Sequence, residues 1–154
     1  MAPRFRSNAW DPILIVAQMV TLQCLFYLSS GLLMLAFYTP LGYTATLRCL
    51  FSPDDLRFRE PTGKILVSAF LLTSLVCAFG LWRIVKRSKQ CLDFTCTVHF
   101  WHFVACLSYA KSIPISPTWW LTNILSILFM TLLSEFLCMR AEMRAIPINQ
   151  SRSL

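Results

Sequence analysis

His99 and His102 stand three residues apart in an apolar stretch, a spacing that puts both side chains on roughly one helix face. An ionisable group inside a membrane segment is a functional candidate by default, because hydrocarbon makes its burial costly. Two uses are open to the pair: contact with a polar partner, or, more plainly, two neutral imidazoles that bond to neighbouring helices. A metal site fits poorly. Cys96, His99 and His102 step round a helix by about 60° each, so they do not converge on one ion. Structural zinc would also need four good ligands. No metal and no cofactor are expected.

Asp93 and Glu135 are carboxylates near the ends of apolar runs. Glu135 either reaches the membrane border or pairs with Arg140, or it joins a polar cluster with the segment that carries Asp93. A proton-coupled carrier would also want such a carboxylate. The other polar residues inside the runs, Gln18, Gln23 and Asn123, are few for a substrate pathway, and no matched pair of interrupted helices is visible. Arg83, Lys86, Arg87 and Lys89 form a short basic hairpin. It serves either as an orienting anchor or as a docking surface for an acidic lipid headgroup or acidic partner. Cys91 and Cys138 fall at membrane borders, where cysteine can be palmitoylated or simply pack. No nucleophile-and-base set, phosphate-binding glycine loop or nucleotide fingerprint appears, so an enzyme is not expected.

These residues must be held by something, and composition says what. Of 154 residues, 56% are apolar and 14% charged, against about 45–50% and 25% in soluble domains. Mean hydropathy is +0.60. Disorder is excluded, since it needs low hydrophobicity and high charge. A chain this short could not bury so much apolar surface in one soluble core. The net charge is +7, but the cations cluster between apolar runs and do not alternate with aromatics, so nucleic-acid binding is not expected. Seven cysteines, an odd number without a C-x-x-C pair, make neither a disulfide framework nor a zinc ribbon.

Four stretches lack Asp, Glu, Lys and Arg: 12–47, 65–82, 94–110 and 112–134. A spanning helix takes about 20 apolar residues. The reading is therefore all-α: a polytopic membrane protein with four transmembrane helices in a small bundle, as a single domain over 1–154. Spans are placed at about 13–38, 65–85, 91–110 and 119–139. Pro40 and Gly42 end the first, which is too long for a signal-peptide core and is read as retained. Between them lie a luminal loop at 39–64, a cytosolic hairpin at 83–90 and a cytosolic tail at 140–154. Trp10, Tyr38, Trp82, Tyr109, Trp119 and Trp120 fall near span ends, as an interfacial belt would require, whereas Trp101 falls mid-span.

Four spans put both termini on one side. That side carries nine cations (Arg4, Arg6, Arg83, Lys86, Arg87, Lys89, Arg140, Arg144, Arg152) against five on the other (Arg48, Arg57, Arg59, Lys64, Lys111). The positive-inside rule then gives N-in, C-in. In the luminal loop, Ser52-Pro53-Asp54-Asp55 reads as a helix start that Pro61 would end. Asn149-Gln150-Ser151 matches a glycosylation sequon, but a cytosolic tail would leave it unmodified. Ser74 and Ala78 allow close helix contact, within or between chains.

Several segments also carry a resemblance. Trp10-Asp11-Pro12 precedes span one. Lys89-Gln90-Cys91-Leu92-Asp93-Phe94-Thr95 continues through Thr97-Val98-His99-Phe100 to His102. Thr118-Trp119-Trp120-Leu121 opens span four, and Cys138-Met139-Arg140, Glu142 and Ile146-Pro147 follow it. In this order the set resembles the Sys-one family of Golgi integral membrane proteins, over nearly the whole chain and least over 39–62. The resemblance implies residence at the trans-Golgi network. It also implies a role in protein trafficking as the membrane receptor for an ARF-related small GTPase with an acetylated N-terminus. A GTPase without an acyl chain needs a protein anchor, since even one myristoyl chain binds membranes only marginally. The expected groove lies between spans three and four, lined by Asp93, His99 and Glu135, with His102 beside it and Arg83, Lys86, Arg87 and Lys89 at its rim. The bilayer and anionic lipid headgroups are the other expected partners. The alternative function is a small proton-coupled transporter built on Glu135.

Overall fold

A computed structural model of the chain describes residues 11–52 and 56–145. Trp10, the terminal arginines Arg4, Arg6 and Arg152, Asp54, Asp55, Pro147 and the sequon at Asn149 lie outside the described residues. Among the described residues five α-helices follow in order: α1 (Pro12–Tyr38), α2 (Leu47–Phe51), α3 (Pro61–Ile84), α4 (Cys91–Ala110) and α5 (Pro117–Ala145). Short 3-10 turns fill Thr39–Leu41 and Ser88–Gln90.

The helix ends follow local chemistry. Asp11 caps α1 by accepting from the backbone N–H groups of Ile13 and Leu14 at 3.2 and 3.5 Å, with Pro12 at the first helical position. Beyond Tyr38 the chain tightens into the 3-10 turn and stops at Gly42, whose φ of 75° suits a residue without Cβ. Pro61 opens α3 and does not close a preceding helix. The expected helix start at Pro53-Asp54-Asp55 lies outside the described residues, but 56–60, which that helix would reach, form no helix, and α2 lies upstream of Ser52. Proline at a first helical position loses no bond, since that N–H is unsatisfied anyway, and here this preference prevails. Gly63 lies so close to the backbone carbonyl of Arg57 that no Cβ fits between them, which pins the end of the loop to the first turn of α3.

The four long helices alternate in direction. Gln18 near the start of α1 donates from Nε2 to the carbonyl of Ile84 at the end of α3, at 3.1 Å. At the other end the Tyr38 hydroxyl donates to the Thr62 carbonyl at 3.4 Å. Ser88, just before α4, meets Glu142 near the end of α5. The result is an up-down-up-down bundle. Helix α3 is central, packing on both α1 and α5, while α4 closes against α5 and α1. Its buried face carries small residues (Ala69, Thr73, Ser74, Cys77, Ala78), so backbones approach closely. Ser74 and Ala78 are buried in the chain's own core, which answers where their contact lies. The core is built on Leu22, Phe26, Leu66, Phe70, Leu81, Val98 and Met130.

The outer surface is apolar: Val16, Val20, Leu28, Leu32, Phe79, Phe100, Leu128 and Leu132 are exposed. Such an inside-out distribution fits hydrocarbon surroundings. Three helices, Pro12–Leu41, Pro61–Ile84 and Pro117–Arg144, are long and apolar enough to cross a membrane. Of the expected belt residues, Tyr38 and Trp119 are turned into the bundle, whereas Tyr109 and Trp120 remain exposed. Tyr38 is held there by its hydroxyl on the Thr62 carbonyl and Trp119 by the Phe103 and Trp120 rings. Trp101 is 55% exposed at mid-helix, in the position of a lipid contact.

Candidate functional site

Helix α4 carries Phe94, Thr95, Val98, His99, His102 and Cys106 inward, a stripe with three- and four-residue steps. On it His99 is 4% and His102 0% exposed. His99 Nδ1 lies 3.0 Å from the Thr95 carbonyl and Nε2 3.0 Å from Ser126 Oγ on α5. A carbonyl only accepts, so Nδ1 carries the proton and donates. Nε2 of the neutral ring then accepts from the Ser126 hydroxyl. His99 therefore ties α4 to α5.

His102 faces the other way round the bundle. Its Nε2 lies 3.5 Å from the Cys106 sulfur one turn on, and its Nδ1 is buried without a hydrogen-bond partner. Phe26 and Phe70 approach it with ring centroids at 5.3 Å, Tyr27 at 6.0 Å and Phe51 at 6.2 Å. The cage draws on α1, α2 and α3 together, so the loop holding α2 is fastened onto α4 at this ring. No group of three or more His, Cys, Asp or Glu among the described residues could hold a metal ion.

The carboxylates lie elsewhere. Asp93 is exposed in the first turn of α4, where a negative charge suits the helix N-terminus. Glu135 is half-buried on α5. It is not paired with Arg140, whose guanidinium lies over the Phe136 ring at 6.0 Å. The contacts of Cys91 with Cys138 and of His99 with Ser126 set the antiparallel register of α4 and α5. That register puts Asp93 and Glu135 at a similar level near one end. The expected groove therefore comes apart in one respect: His99 and His102 are enclosed and offer no atom to a partner, while Asp93 is on the outer side of the same helix. The cause is periodicity. Six residues separate Asp93 from His99, a turn of about 240° round the helix.

Arg83, Lys86, Arg87 and Lys89 are all exposed, and Arg83 lies over the Trp82 ring at 5.8 Å. Lys86 takes a left-handed φ of 56° that turns the chain out of α3. The hairpin is docked on α5: Ser88 donates from its backbone N–H and its hydroxyl to the two Glu142 carboxylate oxygens, each at 3.3 Å. Exposed Arg140 and Arg144 on α5 extend the same basic end. The Ser88–Glu142 bridge and the Cys91–Cys138 contact were not visible from sequence, since 54 and 47 residues separate the partners. A further feature is a cleft of about 280 Å³ between α1 and α4, lined by residues including Gln23, Cys24, Thr97 and Trp101.

An apolar exterior, an apolar core threaded with small polar side chains and a basic rim at one end define a polytopic integral membrane protein. Residues 5–148 match the model of the SYS1 family, described as an integral membrane protein linking to the trans-Golgi network. Protein SYS1 homolog of Nematostella vectensis is 44% identical over 153 residues, covering 99% of this chain and 97% of that protein. Protein SYS1 homolog of Dictyostelium discoideum is 32% identical, covering 97% of this chain and 64% of that protein. Protein SYS1 of Saccharomyces cerevisiae is 31% identical, covering 91% and 69%. No solved structure matches. The chain belongs to the SYS1 family, and it is an integral membrane protein of the trans-Golgi network.

Proposed function

We propose that the chain is a non-enzymatic membrane receptor at the trans-Golgi network that recruits an ARF-related small GTPase through its acetylated N-terminal helix. Four spans present its basic end to the cytosol, N-in and C-in. The alternating directions of the helices support the fourth span. Helices α3 and α5 are apolar enough to cross. Ser88, just after α3, is bonded to Glu142 near the end of α5, so both helices finish at one side. Helix α4, at 20 residues and about 30 Å, is long enough to return the chain to the side from which α5 starts. The excess of cations at that end supports the orientation.

The observation that carries the receptor reading is that Arg83, Lys86, Arg87 and Lys89 are exposed at the end of the bundle that also carries Asp93 and Glu135. Acetylation removes a terminal positive charge, which eases entry of a helix into the border zone next to so many cations. Asp93 and Glu135 supply hydrogen-bond acceptors there, and the four cations guide an acidic face or hold anionic lipid headgroups. His99 and His102 act behind them as positioning residues. The carrier alternative gains no pathway from the fold, because Phe26, Phe70, His102 and Met130 fill the bundle at mid-level. Replacing Asp93 and Glu135 together by alanine is expected to weaken GTPase recruitment at least tenfold with thermal stability in detergent unchanged. Undiminished recruitment by the double variant would remove these two residues from the contact surface.

A further inference from the structure

The contact between Cys91 and Cys138 has no part in the recruitment reading and stands independently of it. Their sulfurs are 3.7 Å apart across the α4–α5 interface, and the residues are 0% and 1% exposed. Both are free thiols, and Cys91 also reaches the Arg87 carbonyl at 3.4 Å. Cys138 and Glu142 lie one turn apart on α5 and meet Cys91 and Ser88 respectively. The thiol pair and the Ser88–Glu142 bridge thus form two successive contacts along a single seam, where the basic hairpin and the start of α4 rest on α5. Closing a disulfide needs the sulfurs to approach to about 2.05 Å. The short 3-10 turn at Ser88–Gln90 leads directly into α4 at Cys91, so the pair sits at the junction of the hairpin and the helix.

We propose that Cys91 and Cys138 are a reversible dithiol–disulfide pair that a small hydroperoxide oxidises, fastening the hairpin and α4 to α5. One thiol, as thiolate, attacks a peroxide oxygen. The O–O bond breaks, the sulfur becomes a sulfenic acid, and hydroxide leaves and is protonated to water. The second thiol attacks that sulfur, the S–S bond forms and the hydroxyl departs as water. Overall, two thiols and one hydrogen peroxide give one disulfide and two waters. Two electrons pass from the sulfurs to the peroxide, and a dithiol reductant returns them. Enclosure selects the reagent: with the residues 0% and 1% exposed the seam must open locally to admit an oxidant, and hydrogen peroxide needs a smaller opening than a bulky disulfide or maleimide. Burial likewise disfavours palmitoylation of either residue in this conformation.

The test uses the full chain, reduced and in detergent micelles, treated with graded hydrogen peroxide, alkylated after denaturation and mapped by mass spectrometry. Exposed Cys24 and Cys96 serve as internal controls. The expected result is a Cys91–Cys138 crosslink within one chain, reversed by dithiothreitol, with Cys138→Ser leaving a Cys91 sulfenic acid that dimedone traps. Recovery of Cys91 and Cys138 as free thiols at a dose that has oxidised Cys24 and Cys96 would overturn the proposal. So would crosslinking of either residue to a different cysteine. Should Cys138→Ser fail to fold, the crosslink map of the unsubstituted chain decides alone.

Discussion

Replacing His102 by alanine is expected to cost roughly 3 kcal/mol of stability, in the range for removing a buried ring and leaving a cavity. The ring is the common neighbour of Phe26, Tyr27, Phe51 and Phe70. Its loss therefore loosens α1, α3 and the loop carrying α2 at once. His102→Phe should behave differently. It keeps a ring in the cage and removes the unpartnered Nδ1, at the cost of only the weak contact between Nε2 and the Cys106 sulfur. Thermal unfolding in detergent checks both: a fall of several degrees for alanine and little change for phenylalanine. Recruitment retained by His102→Phe would place the residue behind the contact surface. Recruitment lost with stability intact would show that the imidazole itself is read by the partner.

The second large effect concerns orientation. Changing Arg83, Lys86, Arg87 and Lys89 together to glutamine removes four of the nine cations assigned to the cytosolic side and leaves five against five. The bias that orients the chain then vanishes. A C-terminal glycosylation tag should stay unmodified on the unsubstituted chain and become modified on a substantial fraction of the quadruple variant. Changing Lys86 and Lys89 alone leaves seven against five and should preserve orientation. That pair is the variant with which to probe docking without disturbing topology. A tag already glycosylated on the unsubstituted chain would reverse the proposed sidedness.

The long helices were legible because uninterrupted apolar runs, Pro12, and the Pro40 and Gly42 stop are local signals. Helix α1 occupies Pro12–Tyr38 and α4 starts at Cys91. The role of Pro61 in the 39–64 loop was not legible because proline fits either the end of one helix or the start of the next; here it opens α3, with Gly63 packed on Arg57. The paired histidines were legible as a unit, but their direction was not. Spacing puts them on one face without saying whether that face meets lipid, a partner or Ser126 and the aromatic cage. Asp93 and His99 share a stretch where motif-like and in-membrane polar residues coincide, but the helical turn carries Asp93 to the outside. The seam of Ser88 with Glu142 and Cys91 with Cys138 had no local signal, since it depends on the register between α4 and α5.

The receptor reading is most directly tested by capture of the ARF-related GTPase on the detergent-solubilised chain. The GTPase is compared in acetylated and unacetylated forms, each locked with GTP or GDP. Retention of the acetylated form, lost without acetylation and weakened at least tenfold by Asp93→Ala with Glu135→Ala, is the expected result. No retention of any form by folded, Golgi-resident protein would contradict the account.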